Sequence, residues 1–304
     1  MSDGFSPLAI SEGEISFITA HRLHLIARLQ LFRNCLYIPG LPLFALTCNH
    51  IQPCPPQSRC STLHAVVTGA SGGIGAATAV LFARAGCNVI LLARRQDALH
   101  KVAQQCKEEG AEGIKVFIKT LDVNDRKAVD DLIPALKKEG FETFDVLVNN
   151  AGGAIGKDKV GVISVMQITQ LFLNEMKKVD TGHIINIGSI AGREPYAGGG
   201  VYCAVKHAVR SFTSTLMKEV VATGIRVTEV APGFVETNFS VTRFRGDEAA
   251  AKKIYEGMQP LLAEDIAEEV VWCALRPPHV QIAEMLVFPN AQASAEIIAR
   301  KISS

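Results

Sequence analysis

With 304 residues, 48% of them hydrophobic, the chain has ample material for a large α/β core, which excludes disorder along its whole length. A formal charge of +1 provides no global field of the kind that holds nucleic acid or a membrane surface, and 14 Phe against 4 Tyr show no bias toward base-stacking platforms. Small molecules and further copies of the chain, as a homodimer or homotetramer, are the expected partners.

Residues 1–61 read as an irregular or disordered extension. They hold Pro39, Pro42, Pro53, Pro55 and Pro56 and no alternation of strand and helix patterns. The apolar run Leu36 to Leu46 is broken by two prolines and falls short of the roughly 20 residues a membrane span needs. From Ile15 to Gln96 there is no Asp or Glu, and Arg22, Arg28 and Arg33 sit among apolar residues, so an organelle-targeting role stands as an alternative. Half of the eight cysteines (Cys35, Cys48, Cys54, Cys60) lie here; Cys87, Cys106, Cys203 and Cys273 are scattered beyond. No pair has Cys-x-x-Cys spacing, which argues against a metal or redox site and for buried thiols in a reducing, cytoplasmic compartment.

From about Thr62 onward, short apolar runs alternate with longer helical ones, so a single domain is expected over 62–304. The period-2 and continuous apolar runs predict strands at Ala65–Thr68, Asn88–Leu92, Lys115–Leu121, Asp145–Val148, His183–Ile187, Ile225–Val230 and Glu284–Phe288. Helical spacing covers Gly75–Ala85, Gln96–Glu109, Asp125–Lys138 and Val201–Val221. In the last, Val201, Val205, Ala208, Val209, Phe212 and Leu216 mark one apolar face. This alternation predicts a doubly wound, Rossmann-like α/β domain around a mostly parallel seven-stranded sheet.

The first strand runs into Thr68-Gly69-Ala70-Ser71-Gly72-Gly73-Ile74-Gly75 and then a helix. Glycine permits a tight turn and close approach of the backbone to a pyrophosphate, whose charge sits at the amide-rich helix start. Gly69, Ser71, Gly73, Ile74 and Gly75 are therefore candidate dinucleotide contacts. Where an acidic residue would hydrogen-bond the adenosine ribose of NAD, the second strand ends in Ala93-Arg94-Arg95. Two guanidiniums suit a 2′-phosphate, so NADP is the expected cofactor, with a solvated basic turn as the alternative for Arg94 and Arg95.

Tyr202 and Lys206 stand slightly more than one helical turn apart and project from one face. A free phenol, with pKa about 10, is too weak an acid for ready proton exchange at neutral pH, and a neighbouring ammonium would favour phenolate. Ser189 follows the strand Ile184-Ile185-Asn186-Ile187, at the carboxyl end where open α/β sheets bind ligands.

These motifs, with Asn149-Asn150-Ala151-Gly152, Gly188-Ser189-Ile190-Ala191-Gly192 and Pro232-Gly233-Phe234-Val235-Glu236-Thr237, resemble those of the short-chain dehydrogenase/reductase family from about residue 62 to the end. Gly192-Arg193-Glu194, Val241-Thr242-Arg243-Phe244-Arg245-Gly246 and Asn290-Ala291-Gln292-Ala293-Ser294 resemble NADP-dependent 3-hydroxy acid dehydrogenases acting on serine- or allo-threonine-like compounds. The resemblance implies that Tyr202 is the general acid/base, Ser189 orients the substrate oxygen, and Lys206 tunes the tyrosine and holds the nicotinamide ribose. It further implies that Asp122 meets the adenine, that Asn149 and Gly152 line the cofactor, and that Pro232, Gly233, Val235 and Thr237 seat the nicotinamide.

One departure stands against that pattern. Family members carry Thr-Asn in the early turns of the helix before the serine strand, whereas here Gly161 is followed by Val162-Ile163-Ser164-Val165-Met166-Gln167, resembling a later part of that helix. The remaining run to Val179 still spans about 27 Å at 1.5 Å per residue, enough for a crossover. Asn174, near its far end, is a poor substitute. A cofactor-binding protein of weak or no turnover is the alternative to an active enzyme.

Overall fold

The structure is a computed structural model and describes residues 63–152 and 161–300. The N-terminal extension, with its prolines, arginines and four cysteines, lies outside the described residues, as do 153–160 just ahead of Gly161.

Seven strands form one sheet: β1 His64–Thr68, β2 Asn88–Ala93, β3 Val116–Thr120, β4 Val146–Asn149, β5 Gly182–Ile187, β6 Ile225–Pro232 and β7 Glu284–Val287. Their order is β3-β2-β1-β4-β5-β6-β7, and every neighbouring pair is parallel, so the sheet is fully rather than mostly parallel. Burial on both faces explains the continuous apolar runs. All six residues of β2, Asn-Val-Ile-Leu-Leu-Ala, are buried.

The helices are α1 Gly73–Arg84, α2 Gln96–Glu109, α3 Arg126–Asp130, α4 Leu132–Lys138, α5 Gly161–Val179, α6 Gly200–Glu219, α7 Asn238–Arg243, α8 Glu248–Lys253 and α9 Ala263–Ala274. The expected helix over 125–138 is broken at Asp131. Pro134 has no N–H, and its ring would collide with the Asp130 carbonyl in an unbroken helix.

Side-chain alternation along the strands divides the core in two. Val67, Val89 and Leu91 pack with Ala79, Phe82, Leu99, Val102, Ile266 and Val270 from α1, α2 and α9. Val66, Ile90, Leu92 and Leu147 pack on the other face with Leu132, Leu136, Ile168, Phe172 and Leu216 from α4, α5 and α6. The Phe144 ring meets Phe172 edge-on, with centroids 5.1 Å apart, which ties α5 to the start of β4. The retained length of α5 thus completes the crossover.

The apolar face expected for α6 needs correction at its start. Val201 is 68% exposed, while Cys203, Val209, Thr213 and Leu216 are the buried positions. Buried thiols are confirmed at Cys106 and Cys273, where burial pushes the pKa up to about 12 and about 11 respectively, leaving both as packing groups. Among the described residues, no helix is long and apolar enough to cross a membrane.

Candidate active site

Strand order reverses between β1 and β4, and the ends of these two strands form the floor of the site. Gly69 and Gly73 adopt left-handed backbone, φ +68° and +54°, which side-chain-bearing residues resist. Across the switch point, Asn150 Nδ2 donates to the carbonyls of Thr68 and Gly69, at 3.1 and 3.3 Å. Thr68 Oγ1 accepts from the backbone N–H of Asn150 and of Ala151, both at 3.0 Å. A Cβ at Gly75 would stand 2.4 Å from Asn150 Nδ2 and 2.5 Å from the Gly69 carbonyl. The glycine turn is thus a cradle closed from behind by Asn150. Thr68 and Asn150 were not singled out from sequence, although the doubled asparagine in Asn149-Asn150 carried the signal.

Arg95 and Arg94 have separate environments. Arg95 Nη2 donates to the Ser71 carbonyl at 2.9 Å and to Ser71 Oγ at 3.2 Å, so its guanidinium is folded onto the glycine turn. Arg94 is exposed. Asp122 accepts from the backbone and side chain of Asn124, at 3.0 and 3.1 Å, beyond the end of β3 on the same side of the sheet.

Ser189 leaves β5 in extended backbone and caps the 3-10 turn Ile190–Gly192, its Oγ accepting from Ala191 N–H at 3.1 Å. Lys206 Nζ donates to the Ile187 carbonyl at 2.8 Å, two residues before Ser189, and lies 5.8 Å from the Tyr202 ring centroid. A Cβ at Gly192 would stand 2.7 Å from the Lys206 carbonyl, so the glycine allows α6 to pack this closely on the Ser189 turn. The serine, tyrosine and lysine therefore meet at the carboxyl end of β5.

Their electrostatics differ from the sequence expectation. Burial pushes the Tyr202 phenol up to about 12, opposed by a hydrogen bond with the Ser189 side chain and by the positive charge of Arg243. Burial also lowers Lys206 to about 8, with the Glu229 carboxylate opposing that fall. Desolvation is the largest influence on the phenol, and Lys206, expected to favour phenolate, donates to the Ile187 carbonyl and is not among the groups that lower the phenol.

Pro232, Gly233, Val235 and Thr237 form the lip above these groups. Gly233 N–H donates to the Val287 carbonyl at 2.8 Å, and a Cβ at Gly233 would collide with Gln292 Oε1, which accepts from Phe234 N–H. The Val235 carbonyl accepts from the Tyr255 hydroxyl at 2.8 Å. Thr237 caps α7, and its methyl group would lie 3.4 Å from a Cβ at Gly73, bringing the lip over the glycine turn. From α7, the Phe239 ring approaches Tyr202 with centroids 5.7 Å apart, and Arg243 stacks over Tyr196 at 5.3 Å.

Asn149 is turned inward. Its Nδ2 donates to Thr169 Oγ1 and Asn186 Oδ1, both at 2.8 Å, while Asn186 Nδ2 donates to Thr213 Oγ1, again at 2.8 Å. This buried chain pins α5 and α6 to the middle strands. Gly152 is exposed just beyond the end of β4.

The chain matches the short chain dehydrogenase family over residues 63–248. It is 42% identical over 260 residues to an NADP-dependent 3-hydroxy acid dehydrogenase of Schizosaccharomyces pombe, the match covering 81% of this chain and 99% of the relative. A sulfoacetaldehyde reductase of Chromohalobacter salexigens is 38% identical over 242 residues, covering 75% and 94%. Among solved structures, a closed serine dehydrogenase complexed with NADP+ is 35% identical with a TM-score of 0.70, covering 79% of this chain and all of that one. Four-fifths of 304 residues is fewer than 260, so the alignment with the fission yeast relative opens gaps in this chain. By the extent of these matches and the sheet they share, the chain belongs to the short chain dehydrogenase family.

Proposed function

We propose that the protein is an NADP-dependent oxidoreductase acting on the carbinol carbon of small 3-hydroxy acids such as serine or allo-threonine, or on the matching carbonyl compounds. The observation that carries this reading is the meeting of Ser189, Tyr202 and Lys206 at the carboxyl end of β5, beside the glycine cradle and under the lip that ends in Thr237.

The cradle suits a dinucleotide on its own geometry: left-handed glycines, no room for a Cβ at Gly69 or Gly75, and a guanidinium folded over Ser71. In this reading Gly69, Ser71, Gly73, Ile74 and Gly75 receive the pyrophosphate. Arg94 and Arg95 meet the 2′-phosphate, Asp122 and the backbone at Asn149 and Gly152 flank the adenine side, and Pro232, Gly233, Val235 and Thr237 seat the nicotinamide. The cofactor supplies or accepts the hydride.

This chain's own residues handle the proton. Tyr202, protonated over the whole neutral range, gives its proton to a carbonyl oxygen in the reductive direction and recovers it in the oxidative one. Ser189 aims a hydroxyl at the same oxygen. Lys206, charged below about pH 8, holds positive charge beside the ring and orients the ribose.

The named relatives support an acid substrate. In a 3-hydroxy acid the carbinol carbon lies two bonds from the carboxylate carbon, and in sulfoacetaldehyde the carbonyl carbon lies two bonds from sulfur. Both place an anion at one distance from the reacting carbon.

The test is NADPH binding by fluorescence, followed by turnover of serine, allo-threonine and sulfoacetaldehyde with NADP(H) against NAD(H). Turnover of at least one, lost in Tyr202→Phe, is the expected result. Tight NADPH binding with rates no better than Tyr202→Phe would instead identify a cofactor-binding protein whose shortened helix has removed catalysis.

A further inference from the structure

The sequence places a carboxylate where a parallel strand ordinarily carries an apolar residue. Glu229 lies in β6 opposite Asn186 of β5 and is 1% exposed. An ion in such a place is costly unless the fold holds it for a purpose or pairs it fully. Here the pairing is incomplete. Glu229 Oε2 accepts from Arg193 Nη2 at 3.0 Å, while Oε1 is buried with no hydrogen-bond partner among the described residues.

The unpartnered oxygen sits beneath the catalytic turn. A Cβ at Gly188 would stand 2.0 Å from Glu229 Oε1, so the carboxylate occupies the space under that residue and only glycine is accommodated there. Gly188 lies between Ile187, whose carbonyl accepts from Lys206 Nζ, and Ser189. Lys206 and Arg210 are one helical turn apart on α6, and Arg210 with Thr213, Ser214, Met217, Glu229 and Glu284 lines a small cavity.

The charged groups around Glu229 come from every packed element. Arg193 approaches from the Ser189 turn, Arg210 and Lys206 from α6, and Glu284 from β7. Arg193 is shared between Glu229 and Glu284, both at 3.0 Å, and Arg210 turns toward Glu284 at 3.5 Å. Burial raises the Glu229 carboxyl above the ordinary range, opposed first by the Arg193 guanidinium, while its Oε1 faces the catalytic turn.

We propose that Glu229 is a positioning residue for Lys206: its buried carboxylate, wedged under Gly188, holds the Lys206 ammonium on the Ile187 carbonyl beside Ser189. Glu229, buried beneath Gly188, acts through Lys206. Burial draws Lys206 toward neutrality, and Glu229 is the group that opposes it. The assignment of Lys206 to the reaction rests on the function proposed above, whereas the electrostatic coupling does not.

The experiment follows the Lys206 titration directly by competitive acetylation of the full chain with acetic anhydride across pH 6–11, read by peptide mass spectrometry with exposed lysines as internal standard. In Glu229→Gln the midpoint for Lys206 should fall by roughly one unit. Glu284→Gln, which disturbs the same network farther from Lys206, should leave it at the wild-type value. Equal midpoints in Glu229→Gln and wild type, or an equal fall in both variants, overturns the proposal in favour of a packing role. Should Glu229→Gln not fold, the Glu229→Leu, Arg193→Met pair removes the ion pair as a unit and carries the same prediction against Arg193→Met alone. The alkaline limb of the turnover profile should move with the labelling midpoint. A wild-type protein without turnover would sink the proposed function while leaving the labelling comparison readable.

Discussion

The side-chain amide of Asn150 occupies the space that any side chain at Gly75 would need, 2.4 Å from the place of its Cβ. The same amide holds the Thr68 and Gly69 carbonyls, so one asparagine on β4's end fixes both the course of the glycine turn and the first turn of α1. Gly75→Ala should therefore push Asn150 aside and lower stability by about 1–3 kcal/mol, the usual cost of overpacking. NADPH affinity should fall with it. Gly200→Ala, where a Cβ meets nothing within 4 Å, is the control. Thermal melts and fluorescence titration of both variants check this, and equal melting temperatures would remove the wedge argument.

Both arginines are exposed, but only Arg95 is pre-folded onto Ser71 among the described residues, so the two should differ in degree. Arg95→Ala should weaken NADPH binding by about tenfold to a hundredfold, the range of a charged hydrogen bond, with little change for NADH. Arg94→Ala should show a smaller loss of the same selectivity. Parallel titrations with the two reduced cofactors decide it; equal losses for both would discard the 2′-phosphate assignment.

Tyr202→Phe keeps the ring against Phe239 and removes only the hydroxyl. Turnover should fall by about 10²–10⁴-fold, with the melting temperature close to wild type. An unaltered rate would exclude Tyr202 from proton transfer.

Lys206 offers a pH test of its burial. Its folded pKa, about 8, lies below the 10.5 of an exposed lysine, so the unfolded chain binds the extra proton between these values. The charge therefore costs stability in full below about pH 8, and that cost shrinks as pH rises toward 10.5. Lys206→Met should gain stability relative to wild type at pH 7, and the gain should decline between pH 8 and 10. Melting temperatures of the pair across pH 6–10 test the sign, and a difference that does not change with pH would contradict it.

The buried chain from Thr169 through Asn149 and Asn186 to Thr213 joins two helices to two strands. Asn186→Leu should take from the Asn149 amide one of its two acceptors and from Thr213 Oγ1 its amide donor, leaving each with one bond, to Thr169 and to the Val209 carbonyl, and destabilise by about 1–3 kcal/mol, visible in urea unfolding. A neutral result would mean that the chain adds no net stability.

Much of the fold was legible because its signals are local. A strand buried on both faces must be apolar throughout, as β2 is, and a left-handed turn selects glycine, as at Gly69 and Gly73. Helix period put Tyr202 and Lys206 on one face and the strand end carried Ser189 to the edge of the sheet, while their joint role came from the family resemblance of the combined motifs. Helix breakage at Asp131 was also written in the chain, in Pro134, but overridden by the apolar period on either side.

What only the tertiary structure decided depends on groups distant in sequence. Whether Lys206 faces the phenol or a carbonyl turns on where Ile187 ends, nineteen residues earlier. The Tyr202 pKa is set by how much water the surrounding lip and helices displace, which no spacing encodes. Asn149 turns inward because Thr169 and Asn186 stand there to receive its amide. Glu229 gains its meaning only when the end of β5 folds over it and leaves room at Gly188 for nothing larger than hydrogen. Local sequence determined which elements form and which groups they carry; solvent exclusion and long-range contact determined the charge state in which those groups meet.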